Sequence, residues 1–150
     1  MKYTIAIGSD HAGFDVKEII VKALNSGILE EFNAGVSDMG PDSSDRVDYP
    51  DYAHKVAQSV SEGICDLGIL ICGSGNGVCI TANKHDGIRA GLAWDKELAS
   101  LAREHNNANI ICLPARFVSE EKALEIAKAF LAASFEGGRH QERVQKIEQK

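Results

Sequence analysis

An unbroken apolar run at residues 67–71 constrains the fold of this chain more than any other segment. A strand of this kind has apolar side chains on both faces, so helices must cover both sides of its sheet. The run leads directly to Cys72 and to a loop with glycines at positions 73, 75 and 77. We therefore expect a central parallel strand that ends in a thiol beside a glycine-rich turn.

The remaining sequence alternates between short apolar runs, typical of strands, and amphipathic segments, typical of helices. Strands are predicted at residues 3–8, 29–34, 67–72, 88–93 and 109–113. Helices are predicted at residues 13–24, 49–62, 77–84, 95–105 and 119–133, with a short tail helix beginning near residue 139. This order predicts an α/β fold with a five-stranded parallel sheet covered on both faces. No linker or repeat interrupts the pattern, so we expect a single domain over residues 1–150.

Composition and charge narrow the classes of function. Of the 150 residues, 44% are hydrophobic and 25% are charged, as in ordinary soluble globular proteins. The formal net charge of −6 argues against nucleic acid as a partner, because binding to phosphate backbones needs a basic face. No apolar run reaches the roughly 20 residues needed to span a membrane, and the first residues lack a signal-peptide pattern. We therefore expect a cytoplasmic protein without nucleic-acid or membrane partners.

Four cysteines, at positions 65, 72, 79 and 112, show neither a C-x-x-C pair nor the spacing of a zinc site. In a reducing compartment we expect free thiols, and a buried inert thiol is the usual interpretation. Cys72 differs because glycines follow it. Their backbone N–H groups can turn toward an anion, which favours a thiolate beside a cradle for phosphate or enolate oxygens. From spacing alone, a core thiol and a reactive thiol both remain open for Cys72.

Polar side chains are expected at the carboxyl ends of the strands, where open parallel sheets bind their ligands. Asp10 and His11 follow the first strand, and Arg116 follows the fifth. His105 ends the helix before that fifth strand. We expect these residues to converge with Cys72 on one edge of the sheet. Each also has a structural interpretation: Asp10 could cap the next helix, His105 could interact with a helix dipole, and Arg116 could be a solvated charge.

Two segments outside the predicted strands and long helices carry further candidate features. Arg139 and Arg143 are four residues apart in the tail, so on a helix they share a face and form a candidate phosphate clamp. The alternative is a solvated tail whose charges pair with nearby glutamates. A helix this short is unstable alone and must dock on something, for which a second subunit is one candidate. Residues 35–48 are long for a connection between a strand and a helix, and they predict a flexible rim or lid.

Seven short motifs occur in order along most of the chain. They are Asp10-His11, Asp48-Tyr49-Pro50, Cys72-Gly-Ser-Gly-Asn-Gly77, Ala82-Asn83-Lys84, Gly87-Ile88-Arg89-Ala90, His105-Asn106 and Gly137-Gly138-Arg139-His140-Gln141. In these motifs the chain resembles the type B ribose-5-phosphate isomerases of the ribose/galactose isomerase family. The resemblance implies a Rossmann-like three-layer α/β/α sandwich without a metal or other cofactor. It also implies a homodimer, or a dimer of dimers, with shared active sites.

The resemblance further implies an activity, the interconversion of ribose 5-phosphate and ribulose 5-phosphate through an enediolate. Cys72 matches the base that moves a proton between C1 and C2, and His105 matches the acid–base that opens the sugar ring. Val78 occupies the position where some relatives carry a glutamate, which indicates the cysteine version of the site.

Substrate-binding residues are implied by the same resemblance, in three sets. Backbone N–H groups would cradle the oxyanion, from Gly73, Ser74, Gly75, Asn76 and Gly77. Polar side chains would contact the sugar, from Asp10 and Asn106. Positively charged or neutral donors would hold the phosphate, some of them from the partner subunit: His11, Arg116, Arg139 and Arg143.

Other functions remain as alternatives. Isomerisation of allose 6-phosphate is hard to exclude, because one extra carbon is a matter of pocket size. Subunits of galactose-6-phosphate isomerases lack the His105–Asn106 pair and are disfavoured. A cysteine phosphatase needs an arginine six residues after its thiol, where this chain has Val78. A non-catalytic sugar-phosphate sensor is less favoured because Cys72 and His105 are both present, and a dinucleotide site lacks its middle glycine in the first loop.

Overall fold

The structure is a computed structural model that describes residues 2–148 of the chain. Its sheet is formed by β1 (Thr4–Ser9), β2 (Gly35–Asp38), β3 (Leu67–Cys72), β4 (Ala90–Leu92) and β5 (Ile110–Pro114). Its helices are α1 (Phe14–Ser26), α2 (Tyr49–Ser61), α3 (Asn76–Ala82), α4 (Lys96–Asn106), α5 (Glu120–Ala132) and α6 (Arg139–Ile147). None of the helices in the described residues has the length and apolar character that a membrane span requires.

All neighbouring strands in the sheet are parallel, in the order β2-β1-β3-β5-β4. The central strand is β3, and all six of its residues are buried. One apolar layer lies between the sheet and α1, α4 and α5, and a second lies between the sheet and α2 and α3. This confirms the expected five-stranded parallel sheet, with helices on both faces and a helix in the tail. The apolar run in β3 is central because only a strand covered on both faces can bury it.

The strand predicted at residues 29–34 is wrong. Residues 30–32 form a short 3₁₀ turn, and β2 follows it. Leu29 is fully buried and Phe32 packs against the same core, a spacing of three that suits a helical turn rather than a strand. Asn33 closes the turn in the left-handed conformation, with φ of 48°. The strand β2 therefore takes the first four residues of the segment expected to form a rim, and the remaining ten connect β2 to α2.

The helix α4 runs from the carboxyl edge of the sheet to its amino edge. Because β4 and β5 are neighbouring parallel strands, the helix between them must return the chain to the start of β5. Asp95 caps the first turn by accepting a hydrogen bond from the N–H of Leu98 at 2.9 Å. The last residue is Asn106, and Asn107 closes the helix with φ of 48°. Side chains at the end of α4 therefore lie at the amino edge of the sheet.

The tail helix α6 packs beside the end of α4. The N–H of Glu136 donates to the carbonyl of Glu104 at 3.0 Å, which ties the segment before α6 to α4. Gly137 and Gly138 then turn the chain with φ angles of 69° and 53°, a region that favours glycine. His140, in the first turn of α6, is buried by this arrangement. The short tail helix is thus stabilised by docking rather than by its own length.

Candidate active site

A cleft of about 470 Å³ opens at the carboxyl edge of the sheet, around the ends of β1, β3 and β5. The residues that line it are Asp10, Tyr49, Cys72, Gly73, Ser74, Gly77, Arg116 and Phe117. All of these except the two aromatic residues were expected at a binding site from the sequence. The cleft therefore lies where an open parallel sheet binds its ligands.

Cys72 is the last residue of β3, and its side chain is almost completely buried beside the cleft. Its Sγ accepts a hydrogen bond from the N–H of Gly75 at 3.1 Å. A donor at this distance stabilises negative charge on the sulfur. Gly75 has φ of 76°, and a Cβ there would lie 2.5 Å from Cδ1 of Leu92. Only glycine can present its N–H to the sulfur in this way.

The loop after Cys72 is ordered by its own side chains. Oγ of Ser74 accepts a hydrogen bond from the N–H of Asn76 at 3.2 Å, at the entry to α3. Gly77 lies under an aromatic ring, because a Cβ there would be 2.5 Å from Cε1 of Tyr49. The N–H groups of Gly75 and Asn76 are thus engaged within the loop. An oxyanion cradle here depends on the other loop amides, or on exchange of these two contacts.

Asp10 lies beside Cys72, in the loop that follows β1. Its Oδ1 accepts a hydrogen bond from the N–H of Gly13 at 2.9 Å, so the capping role considered for Asp10 exists alongside its place in the cleft. His11 is not among the residues that line the cleft. Its Nδ1 lies 3.2 Å from the carbonyl oxygen of Val47, which links this loop to the connection between β2 and α2.

Arg116 supplies positive charge to the cleft. Its side chain crosses Gly73 so closely that Nη1 lies 3.0 Å from the position that a Cβ would take. The N–H of Arg116 also donates to the carbonyl of Gly73 at 3.0 Å. Within residues 2–148, no carboxylate forms an ion pair with the exposed guanidinium. The charge is therefore available to an anion in the cleft.

Two aromatic residues of the cleft were not assigned to a site from the sequence. Tyr49 is the first residue of α2, and Phe117 follows β5 with 75% of its surface exposed. The sequence feature that could have indicated Tyr49 is its position directly after the polar connection between β2 and α2. The signal for Phe117 was its place directly after Arg116, since a large apolar side chain in an exposed loop needs an explanation.

The remaining expected site residues lie elsewhere in the chain. They are His105 and Asn106 at the end of α4, and Arg139 and Arg143 on α6. Cys72 pairs with Pro114 at the carboxyl end of β5, whereas α4 ends before the amino end of that strand. The four residue steps of β5 alone span roughly 13 Å at about 3.3 Å per residue.

The expectation that His105 and Cys72 meet at one edge of the sheet within one copy of the chain is therefore wrong. His105 lies in the last turn of α4, the helix that precedes β5, and a helix that precedes a parallel strand ends at the amino end of that strand. Asn106 lines a separate cleft of about 310 Å³, together with residues of β4 and α4. One small ligand cannot contact both groups of residues in a single copy.

The other three cysteines have structural surroundings. Cys65 and Cys112 are buried and Cys79 is half-buried, and all of them are free thiols. Burial, followed by hydrogen bonding to Cys79, raises the pKa of the Cys112 thiol, whereas that hydrogen bond lowers the pKa of Cys79. None of the three is among the residues that line the cleft. Cys72 is the thiol placed for chemistry there.

His105 is stacked on His140 from the first turn of α6. Their ring centroids are 4.1 Å apart and the ring planes differ by 13°. Oε1 of Glu136 lies 3.7 Å from Nε2 of His105 and 3.6 Å from Nε2 of His140. Desolvation lowers the pKa of His140, and the charges of His105 and Arg139 lower it further, while Glu136 opposes these effects.

Within the described residues, this cluster is the one group that offers three potential metal ligands. Two imidazoles and a carboxylate are a familiar zinc set. Here, however, the two rings are stacked and nearly parallel. The lone pairs of imidazole lie in the ring plane, so those of His105 and His140 run side by side instead of converging on one ion. The arrangement does not fit a tetrahedral metal centre.

Comparison with known proteins agrees with this fold. A family profile described as Ribose/Galactose Isomerase matches residues 5–147. A protein of Mycoplasma pneumoniae named probable ribose-5-phosphate isomerase B is 47% identical over 148 residues, which cover 98% of this chain and 94% of that protein.

Solved structures give the same result. Ribose 5-phosphate isomerase of Thermotoga maritima superposes with a TM-score of 0.91 at 46% identity, covering 99% of both chains. Ribose-5-phosphate isomerase B of Mycoplasma genitalium, solved with bound ribulose-5-phosphate, has a TM-score of 0.87 at 46% identity and covers 96% of this chain and 93% of its own. Because these similarities extend over nearly the whole length, the chain belongs to the ribose/galactose isomerase family and is an aldose–ketose isomerase.

Proposed function

We propose that the protein interconverts ribose 5-phosphate and ribulose 5-phosphate through an enediolate. The observation that carries the proposal is the cleft in which the buried sulfur of Cys72 receives the N–H of Gly75, with Asp10 and Arg116 beside it. Such a reaction needs a base for a carbon-bound proton, donors for an oxyanion, and a cation for the phosphate. Support for a pentose phosphate comes from the Mycoplasma genitalium relative, which was solved with ribulose-5-phosphate.

Cys72 is the proposed base. Its thiolate removes the proton from C2 of the open-chain aldose, and the electron pair forms the C1–C2 double bond while negative charge moves to O1. The O2 proton then passes to O1, and the thiol returns a proton to C1, which leaves a hydroxyl at C1 and the ketone at C2. The N–H of Gly75 donates to this sulfur, and the other backbone N–H groups between Gly73 and Gly77 would meet the negative oxygen.

Binding of the sugar phosphate uses the polar groups around this base. The unpaired guanidinium of Arg116 is the cation that one copy of the chain provides at the cleft. Asp10 would accept a hydrogen bond from a sugar hydroxyl with the oxygen that does not face Gly13. Nδ1 of His11 faces Val47, so His11 would meet the phosphate with its other ring nitrogen.

A second copy of the chain completes the site in this proposal, as a homodimer or a dimer of dimers with shared active sites. One argument is geometric, since His105, expected to open the ring, and two of the arginines expected to bind phosphate lie away from the cleft in the same copy. A second is that Phe117, at the cleft, and Trp94, beside it, are 75% and 53% exposed. Exposed aromatic surface next to a cleft suits a protein partner. The partner would bring its copies of four residues: His105, Asn106, Arg139 and Arg143.

Replacement of Arg139 tests the phosphate clamp. We expect Arg139→Ala to raise KM for ribose 5-phosphate about tenfold or more with a smaller change in kcat, because a phosphate contact stabilises substrate and transition state alike. Lys146→Ala removes the same charge from an exposed position of α6 and should leave KM unchanged. Steady-state kinetics measure both variants. An unchanged KM in Arg139→Ala would place α6 away from the phosphate.

The proposed substrate is tested by steady-state isomerisation of ribose 5-phosphate and allose 6-phosphate side by side, in buffer that contains a chelator. We expect turnover of both the aldose and ketose pentose phosphates, with a higher kcat/KM for ribose 5-phosphate than for allose 6-phosphate. A higher kcat/KM for allose 6-phosphate would indicate that a hexose phosphate is the preferred substrate. Binding of sugar phosphate without turnover would indicate a sensor instead of an enzyme for these substrates.

A further inference from the structure

The ring of His105 is restrained in an unusual way. Its side chain is 38% exposed, and within residues 2–148 no hydrogen bond holds either of its ring nitrogens. Its restraints are the parallel ring of His140 at 4.1 Å and the carboxylate of Glu136 at 3.7 Å from Nε2. A half-exposed histidine without these neighbours would sample several rotamers. The stack and the carboxylate therefore decide where its nitrogens point.

The tail segment places both of these neighbours, Glu136 and His140, beside His105. The N–H of Glu136 is bonded to the carbonyl of Glu104, the residue directly before His105. The two glycines that follow then start α6 at an angle that brings His140 over the imidazole. The side chain of His140 is only 11% exposed, so this ring is held by packing. A ring held by packing can in turn hold the ring that is stacked on it.

Protonation of the stacked pair is also constrained. Two imidazolium rings at this separation would repel one another, so the pair takes up one proton more readily than two. Desolvation and the charges of Arg139 and Arg143 lower the pKa of His140. The Glu136 carboxylate lies at ion-pair distance from both rings, so it can pair with whichever ring carries a proton.

We propose that His140 and Glu136 are positioning residues for His105, with the stacked ring setting the plane of the imidazole and the carboxylate setting which nitrogen is left for the substrate. This inference rests on the proposed function, in which His105 opens the ring of ribose 5-phosphate. In that step the C1–O4 bond breaks, and O4 takes its electron pair and a proton from His105. The O1 hydroxyl releases its proton to solvent as the C1=O bond forms. An imidazolium must be aimed at O4 for this transfer.

Ribulose 5-phosphate separates ring opening from the later proton transfer. Its O5 carries the phosphate, so it cannot close a furanose ring and reaches Cys72 in the open form. Incorporation of deuterium at C1 of ribulose 5-phosphate in D₂O, followed by NMR, therefore reports the enediolate step alone. Turnover of cyclic ribose 5-phosphate reports ring opening together with that step.

Glu136→Gln is the first test. We expect kcat for ribose 5-phosphate to fall about tenfold, with KM and C1 deuterium exchange each within about twofold of the unmodified enzyme, as for other residues that orient a reacting histidine. Glu142→Gln makes the same change at an exposed position of α6 and should alter none of the three quantities.

His140 is tested by a pair of substitutions. His140→Ala removes the stacked ring and should lower kcat for ribose 5-phosphate about tenfold while C1 exchange persists. His140→Phe keeps a planar ring in the same place and should recover most of the lost kcat. Thermal unfolding of both variants reports whether α6 stays docked.

The outcomes separate this inference from the proposed function. If the unmodified enzyme does not isomerise ribose 5-phosphate, the proposed function fails before any variant is made. If the enzyme is active, unchanged kcat in both Glu136→Gln and His140→Ala would overturn the positioning role. Loss of C1 exchange in proportion to turnover would overturn it as well, because the defect would then lie in the whole site. An increase in KM alone would assign the effect to the arginines of α6.

Discussion

Replacement of Cys72 by alanine is expected to abolish turnover of ribose 5-phosphate, with a loss in kcat of at least about 10³-fold, because the proton between C1 and C2 then has no base. The same variant should lose deuterium exchange at C1 of ribulose 5-phosphate, which distinguishes it from every ring-opening variant. Steady-state kinetics and NMR exchange measure the two losses. Near-normal turnover in this variant would contradict the assignment of Cys72 as the base.

A matched control is available in the same core. Cys65 is also buried and packs in the same apolar cluster as Cys72, but it precedes β3 instead of ending it. Cys65→Ala should therefore cost a similar amount of stability, on the order of 1 kcal/mol in the free energy of unfolding, and leave kcat unchanged. Denaturant unfolding of both variants shows whether loss of activity in Cys72→Ala occurs in a folded protein.

The second large effect is expected at His105. His105→Ala should lower kcat/KM for ribose 5-phosphate about 100-fold, which is the usual contribution of a general acid or base. Exchange at C1 of ribulose 5-phosphate should continue, because the open-chain ketose bypasses ring opening. Loss of this exchange together with turnover would place His105 in the enediolate step and contradict the assignment.

The sheet and its catalytic cysteine candidate were predictable from the sequence because their signal is local. A strand with apolar residues on both faces has one stable environment, and Cys72 with its glycines follows that strand directly. The signal failed for β2, an edge strand in which no residue is fully buried. Its sequence has little apolar periodicity, so the preceding pair Leu29 and Phe32 was mistaken for a strand.

The predicted position of His105 was wrong because it depends on the direction in which α4 runs across the sheet. His105 was expected at the carboxyl edge together with the residues that follow the strands, although α4, the helix before β5, ends at the opposite edge. The connection between neighbouring parallel strands requires this direction of α4. The stack of His105 on His140 was not predictable, because it depends on how two glycines with positive φ aim the tail helix. The sequence shows both glycines but not the direction that they give to the chain.

Mixed dimers test the central claim most directly, that Cys72 of one copy and His105 of another form one isomerase site. Cys72→Ala and His105→Ala chains with different affinity tags are coexpressed, and dimers that carry both tags are purified. One of the two sites in each mixed dimer then has both residues intact, so we predict about half of wild-type turnover of ribose 5-phosphate per dimer. Mixed dimers as inactive as the separate variants would show that Cys72 of one copy and His105 of another do not form a shared site.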